Sequence, residues 1–252
     1  MDISILTIFP EMVEPYISFG MLRKAVDDGY IHVSAINIRD YASGKHRVTD
    51  DKPYGGGCGM VMKPEPLAAS IKAAKERSPE ARVIHMTPQG RRFDQNLARE
   101  LAFQSGLIFV CGRYEGVDER IVENYIDEEI SIGDYVLTGG EMAALVVTDA
   151  VIRLIPGVLG GQESAEKDSF SSHLLEHAHY TRPCCFEGEC VPDVLISGNH
   201  ARIESWRLET SLIRTFLKRP DLIEGNVFSN DETKILERWR NKLDNLIKKN
   251  RQ

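Results

Sequence analysis

The sequence DEEISIGDYVLTGG, residues 127–140, joins three consecutive acids to an apolar run that ends in paired glycines. The run is rich in residues typical of strands, although acids of this density are typical of a solvated turn. Thr138 and Glu141 stand three apart, as in a helix capping box. The stretch therefore predicts an irregular strand that passes through a glycine-lined bend into the start of a helix.

Four further runs have the composition of buried strands: ISILTIF (3–9), IHVSAINI (31–38), RVIHMT (82–87) and LIFVCG (107–112). Helical patterns lie between them, at residues 11–28, 64–76, 94–104, 117–126 and 141–154. Alternation of this kind predicts an α/β domain with a largely parallel sheet.

Small and polar residues follow this domain, and such a composition is typical of a linker. Beyond it, residues 199–217 and 231–248 have the pattern of amphipathic helices. We therefore expect an α/β domain at 1–160, a linker at 161–171 and a smaller, mostly helical domain at 172–252.

Composition places the chain among soluble globular proteins, with 42% hydrophobic and 27% charged residues in a length of 252. The amino terminus lacks the basic start of a signal peptide, and no run of 18 apolar residues occurs. We expect a cytoplasmic protein without a membrane segment. Five cysteines, an odd number, argue against a secreted disulfide framework.

The net charge of -7 is unevenly distributed. Nine acids and one base lie between Tyr114 and Glu141, whereas twelve Lys or Arg face eight Asp or Glu from Ala201 to the end. The carboxyl-terminal region can therefore meet a polyanion such as a nucleic acid, or it can be an ordinary solvated helical surface.

Two motifs do not fit a standard cofactor site. The sequence PYGGGCGM (53–60) lacks the Gly-Lys-Ser/Thr ending of a phosphate loop and the spacing of a dinucleotide fingerprint. The long polar loop before it, residues 39–52, is either functional or mobile. Histidines and cysteines cluster at 173–190, but the spacing matches no standard zinc pattern.

The stronger pattern is a set of three strand runs that each lead into Gly or Pro: RVIHMTPQG (82–90), LIFVCGRYEGVDER (107–120) and ISIGDYVLTGGE (130–141). Loops at the carboxyl ends of parallel strands gather into one crevice that takes the ligand. Glycines at 112, 116, 133, 139 and 140 let main-chain groups approach a ligand closely, as a nucleoside base requires.

Several segments resemble those of the bacterial tRNA (guanine-37-N1)-methyltransferases of the SPOUT superfamily, and the resemblance runs nearly end to end: HRVTDDKPYGGGCGM (46–60), CGRYEGVDER (111–120), SIGDYVLTGGE (131–141), IPGVLG (155–160), DSF (168–170), HYTRP (179–183) and SGNH (197–200). The resemblance implies a deep trefoil knot in the first domain, S-adenosylmethionine as cofactor, tRNA as substrate and an obligate homodimer. General topology rules alone predict an ordinary open sheet.

By position, the resemblance implies a cofactor site whose wall is the stretch 131–140, with the acids before it on a surface that need not meet RNA. Its residues are Thr87, Pro88, Gly112, Tyr114, Ile132, Gly133, Asp134, Tyr135, Val136, Leu137, Gly139 and Gly140. It also implies a magnesium requirement, with Glu115 as the acid beside the metal.

Methyl transfer to N1 of guanine, the reaction that the resemblance implies, needs a base to remove the N1 proton and a cation to stabilise the negative charge that moves toward O6. The resemblance assigns these roles to Asp168 and Arg153, in active sites shared between subunits. From the residues alone, Asp168 is a solvated acid in a linker and Arg153 is a surface partner of Asp149. A non-catalytic RNA-binding module and a zinc-organised interaction protein remain as alternatives.

Overall fold

The computed structural model describes residues 1–159, 168–171 and 173–249. The chain divides into two compact units, Met1–Gln162 and Glu163–Gln252. Most of the predicted linker at 161–171 lies outside the described residues.

The first unit is built on a parallel sheet of five strands: β1 (Asp2–Thr7), β2 (His32–Asn37), β5 (Arg82–Arg92), β6 (Gly106–Cys111) and β7 (Glu128–Ser131). The strand order is β2-β1-β6-β5-β7, so β7 lies at an edge beside β5. All five predicted strands are confirmed. A separate antiparallel pair, β3 (Asp50–Asp51) and β4 (Val61–Met62), was not predicted because each strand has only two residues.

Helices cover both faces of this sheet. The first helix of the chain, α1 (Glu14–Ile17), is a single turn. One face packs against α2 (Gly20–Asp27), α4 (Gln95–Ala102) and α6 (Glu141–Ile152), and the other against α3 (Pro64–Arg77) and α5 (Glu119–Tyr125). Side chains alternate between the two cores along each strand. In β6, Phe109 enters the first core and Ile108 the second, and both are fully buried.

The predicted helix at 11–28 is wrong as a single element. The chain forms a 3₁₀ turn at Pro10–Met12, then α1, and starts again as α2. Gly20 has φ of +63° and Phe19 is extended, so the chain changes direction between α1 and α2. The other four helices of this unit are confirmed, with ends that differ by a few residues.

The second unit contains α7 (Asp193–Ile196), α8 (His200–Lys218) and α9 (Asn230–Lys249), and the two predicted helices are α8 and α9. Its small core is formed by Leu174, Leu212 and Ile235. An exposed hairpin, β8 (Cys185–Phe186) and β9 (Glu189–Cys190), carries a disulfide between Cys185 and Cys190. Within the described part of the chain, no helix combines the length and the apolar character needed to cross a membrane.

Candidate active site

A cavity of about 450 Å³ opens where β5, β6 and β7 end in the first unit. This volume lies within the range of small-molecule sites. The cavity is lined by the predicted cofactor-binding residues except Asp134: Thr87, Pro88, Gly112, Tyr114, Ile132, Gly133, Tyr135, Val136, Leu137, Gly139 and Gly140. The strand-end crevice expected from the sequence is therefore present, with the three predicted loops around it.

Glycine is required where the wall of the cavity meets β6. The amide of Gly140 donates a hydrogen bond to the carbonyl of Gly112 over 3.0 Å. A Cβ built on Gly140 would lie 2.8 Å from the Cα of Cys111. Because the contacted atom belongs to the main chain of β6, it cannot move away cheaply, and a side chain at 140 would push the wall from the strand.

The wall itself is an irregular bend, as predicted. Gly133 has φ of +144°, a conformation that L side chains rarely adopt. The hydroxyl of Tyr135 donates back to the carbonyl of Ile132 over 3.1 Å, and Val136 is 88% exposed. The bend is thus held by its own hydrogen bonds while its residues line the cavity.

The predicted capping box is wrong. Gly140 is the N-cap of α6 and has no side chain to cap the helix. The Glu141 carboxylate instead accepts from the hydroxyl of Thr7 over 2.6 Å and from the guanidinium of Arg113 over 2.9 Å. Arg113 also donates to the main-chain carbonyl of Thr138. The pair therefore fastens the cavity wall to β1 and to the end of β6.

Removal of the Arg113 guanidinium should expose how much stability this attachment provides. The side chains of Glu141 and Arg113 are 1% and 13% exposed. We expect Arg113→Met to lower the free energy of unfolding by about 3 kcal/mol, because it leaves a buried carboxylate without its cation. The double variant Arg113→Met with Glu141→Met should recover at least half of this loss in urea denaturation. If the double variant is as unstable as Arg113→Met, the unpaired charge is not the cause.

A polar niche lies on the side of the cavity that faces α5. His85, in β5 just before the register shift between Met86 and Arg91, directs Nδ1 to the carboxylate of Glu129 on β7 over 3.3 Å. A Cβ built on Gly112 would lie 3.2 Å from the other ring nitrogen, Nε2. Burial lowers the pKa of His85 below its ordinary value of 6.5, and it outweighs the opposing effects of Glu129 and Glu119.

Of the three acids at 127–129, which are expected on a surface that need not meet RNA, Glu129 lines the cavity. The other two are also held: Asp127 accepts from the amide of Val83 over 2.8 Å, and Glu128 lies 3.3 Å from Arg82. Sequence analysis missed the roles of His85 and Glu129. The signal was a histidine inside an otherwise apolar strand run.

The glycine-rich loop at 53–60 is attached to the same region. The amide of Glu115 donates to the carbonyl of Met60 over 3.0 Å, and the amide of Met62 donates to the carbonyl of Gly116 over 2.9 Å. Glu115 itself lines the cavity. The chain at the end of this loop is therefore hydrogen-bonded to Glu115 and Gly116, which line the cavity. Tyr54, within the loop, is fully exposed.

The two predicted catalytic residues are not among the residues that line the cavity. Arg153 is exposed at the carboxyl end of α6, whose other end forms the cavity wall. The twelve residues of α6 separate Gly140 from Arg153 by thirteen helical steps, roughly 20 Å. Asp168 is half-buried and belongs to the second unit, where its carbonyl accepts from the amide of Ser171.

A metal centre formed by protein ligands alone finds no support in the described ranges. Residues 1–159, 168–171 and 173–249 contain no group of three or more His, Cys, Asp or Glu placed to hold an ion. In the histidine and cysteine cluster, Cys185 and Cys190 form the disulfide of the hairpin.

Comparison with known proteins gives consistent matches. A family model described as tRNA (Guanine-1)-methyltransferase TrmD matches residues 1–225. A protein of Desulfatibacillum aliphaticivorans named tRNA (guanine-N(1)-)-methyltransferase is 54% identical over 248 residues, which cover 98% of this chain and 95% of the relative. Proteins of the same name from Syntrophotalea carbinolica and Staphylococcus carnosus are 51% and 52% identical over 97% and 96% of this chain, and the matches cover 98% and 99% of those relatives.

Proposed function

The chain belongs to the tRNA (guanine-1)-methyltransferase family, and on that premise we propose that it transfers a methyl group from S-adenosylmethionine to N1 of guanosine 37 in tRNA. The activity as a tRNA (guanine-N1)-methyltransferase follows from the family, and the target position is our proposal. The observation that carries it is the glycine-walled cavity at the ends of β5, β6 and β7, in a chain matched over residues 1–225.

The cavity is suited to the adenosyl group of the cofactor. Its wall offers main-chain donors and acceptors between Ile132 and Leu137, and an adenine edge needs such groups at fixed positions. The close contact of Gly140 with β6 keeps this side free of a side chain. When bound, the cofactor supplies a methyl group on a sulfonium. We assign the binding role to the predicted residues that line the cavity, and we include Asp134 as a neighbour of the wall.

We propose that Asp168 removes the N1 proton of guanine, so that the nitrogen lone pair can attack the methyl carbon. The bond from that carbon to sulfur breaks, and its electron pair stays on sulfur as a neutral thioether. Arg153 donates to O6, where negative charge develops as the proton leaves. A carboxylate and a guanidinium are the residue types that these two tasks need.

A site shared by two copies of the chain accounts for the position of Arg153. Met142 and Val146 are 53% and 47% exposed on α6, and Arg153 follows on the same face at helical spacing. Phe19 adds a ring that is 71% exposed. We propose that a second copy covers this apolar face in a two-fold dimer, so that Arg153 and Asp168 serve the cavity of the partner.

The trefoil knot is also our proposal. After β7 the chain passes from the edge of the sheet to the end of β6, where Gly139 bridges to Arg113. It then enters α6, which packs beside α4 and α2 on the first face. The passage of the stretch 131–140 across β5, from β7 to the end of β6, supports this proposal.

We propose that the second unit holds tRNA through its basic residues. Replacement of two exposed basic side chains, Arg202 and Lys242, by glutamine should weaken tRNA binding. It should also make the slope of log affinity against log salt concentration shallower by about 2. The matched control replaces Lys24 and Arg77 of the first unit, which removes the same charge. Equal slopes for both pairs in fluorescence titrations would contradict a role for this unit in tRNA binding.

Magnesium remains a prediction from the resemblance, with Glu115 as its acid. The described residues do not form a group that would hold the ion by themselves, and no step above passes through it. The cytoplasm, where tRNA is modified, is the proposed location.

The proposed activity is tested by transfer of labelled methyl from S-adenosylmethionine to an unmodified tRNA transcript. We expect label in the transcript with guanosine at position 37 and none when that guanosine is adenosine. Nuclease digestion should release labelled 1-methylguanosine. Labelling of both transcripts would place the target elsewhere, and labelling of neither would contradict the function.

A further inference from the structure

The polar niche of the cavity, which we call the α5 niche, consists of His85, Gly112, Val117, Glu119, Val122 and Glu129. It lies on the sheet face covered by α3 and α5, because His85 is two residues after Val83 of the second core and so points to the same face of β5. The wall at 131–140 comes from a different part of the chain. The niche can therefore contact a different part of the ligand from the one that the wall holds.

The hydrogen bonding of His85 determines what this niche offers to a ligand. Glu129 is an acceptor, so the ring nitrogen beside it, Nδ1, carries the proton in the neutral imidazole. The lone pair then lies on Nε2, next to Gly112. The His85 side chain is 7% exposed, so packing keeps the ring in this orientation.

The charge of the niche favours a ligand group that is positive or that donates hydrogen bonds. Glu129 on β7 and Glu119 at the start of α5 are the charged groups that act on His85 from the elements around it. Carboxylates accept hydrogen bonds and attract cations. A neutral imidazole between them adds a third acceptor without adding a positive charge.

We propose that the α5 niche is an acceptor site for the cofactor, in which His85 Nε2, oriented by Glu129, accepts a hydrogen bond from an amino or hydroxyl group of S-adenosylmethionine. This inference rests on the proposed function. His85 is thus a binding residue, and Glu129 is a positioning residue that acts through it. The donor is either the protonated amino group of the amino-acid part or a ribose hydroxyl.

A proton on Nε2 abolishes the acceptor and adds a positive charge that faces a cationic ligand. Because burial lowers the pKa of His85 below its ordinary value, the acceptor is present at neutral pH and is lost only as the pH falls through that lowered pKa. The contribution of His85 to cofactor affinity should therefore be constant at neutral pH and weaken as the pH falls through the lowered pKa. Tight binding at neutral pH does not require any change in the protonation of the histidine.

The test is calorimetric titration of the full chain with S-adenosylmethionine between pH 5.5 and 8. His85→Phe keeps the ring but removes the acceptor, and we expect it to weaken binding about tenfold at pH 7.5, as the loss of one hydrogen bond predicts. Its remaining affinity should also depend less on pH than that of the wild type. His85→Gln, which retains an acceptor, should bind more tightly than His85→Phe and serves if the phenylalanine variant does not fold.

Glu129→Gln should weaken binding and change the pH profile, whereas Glu123→Gln removes an exposed acid from the same region and should change neither. Titration with 5′-methylthioadenosine, which keeps the ribose but lacks the amino-acid part, identifies the donor. If the tenfold effect of His85→Phe disappears with this ligand, the amino group is the donor; if it persists, a ribose hydroxyl is.

Wild-type affinity in His85→Phe, or a pH profile that His85→Phe leaves unchanged, would overturn the acceptor role. Failure of the wild type itself to bind S-adenosylmethionine would instead contradict the proposed function. The two failures are therefore distinguishable.

Discussion

Replacement of Asp168 by asparagine should lower the rate of methyl transfer by about 10² to 10⁴, the usual contribution of a positioned base. Asparagine has the same size and can still accept a hydrogen bond through its amide oxygen, but it cannot take the N1 proton. Cofactor affinity should stay within about twofold of the wild type, because Asp168 is not among the residues that line the cavity and its proposed role is toward the guanine. Single-turnover measurements at saturating tRNA would report the chemical step directly.

The matched control is Asp193→Asn, which removes an exposed carboxylate from the first turn of α7 in the same unit. This variant should methylate tRNA at the wild-type rate. A second control is the affinity of Asp168→Asn for tRNA, which should change little if the residue acts on the reacting atoms. A loss of tRNA affinity as large as the loss of rate would show that Asp168 binds substrate instead of removing the proton.

The main sheet was predictable because most of its strands are runs of strand-type residues bounded by Gly, Pro or polar residues. β6 is buried at every position, and the sequence at 107–112 is correspondingly apolar. The helices at 64–77 and 200–218 likewise have amphipathic patterns over several turns. Once the strands are placed, their carboxyl ends must lie on one edge of the parallel sheet, so the position of the crevice is predicted as well.

Contacts between distant residues were not predictable in this way. Glu141 is hydrogen-bonded to Arg113, which is 28 positions away in the sequence, and to Thr7, which is 134 positions away. A periodic pattern of side chains does not predict such distant pairs. The spacing of Thr138 and Glu141 indicated a local capping box, but a buried cation is a stronger partner for a carboxylate than a main-chain amide. Similarly, His85 and Glu129 are 44 positions apart and meet because β5 and β7 are neighbours in the sheet.

The positions of the two proposed catalytic residues need a different explanation, because Arg153 stands at the opposite end of α6 from the cavity wall. One rigid helix cannot place both of its ends in the same small pocket. A second copy related by two-fold symmetry can supply the distant end, and the exposed apolar face of α6 gives it a surface to cover. This explanation makes a prediction that no single-chain arrangement shares.

The prediction is that two inactive variants restore activity when their chains mix. One variant is Asp168→Asn, and the other must block the cavity without disturbing the fold. Gly140 is unsuitable, since its Cβ would meet the main chain of Cys111. Gly112→Leu is better, because its Cβ would meet only the side chains of His85 and Val117, at 3.2 and 3.5 Å, and the rest of the leucine would enter the cavity. Each variant alone should be inactive, and Gly112→Leu should not bind S-adenosylmethionine.

In a mixed dimer, the cavity of the Asp168→Asn chain is open and receives the intact Asp168 of the Gly112→Leu chain, so this site should work. The other site carries both defects. Random exchange makes about half of the dimers mixed, and each mixed dimer has one working site in two, so activity should return to roughly a quarter of the wild type. If Asp168 instead serves the cavity of its own chain, every site in the mixture has one defect. A preparation that contains mixed dimers, verified by two affinity tags, and yet stays inactive would rule out the shared site.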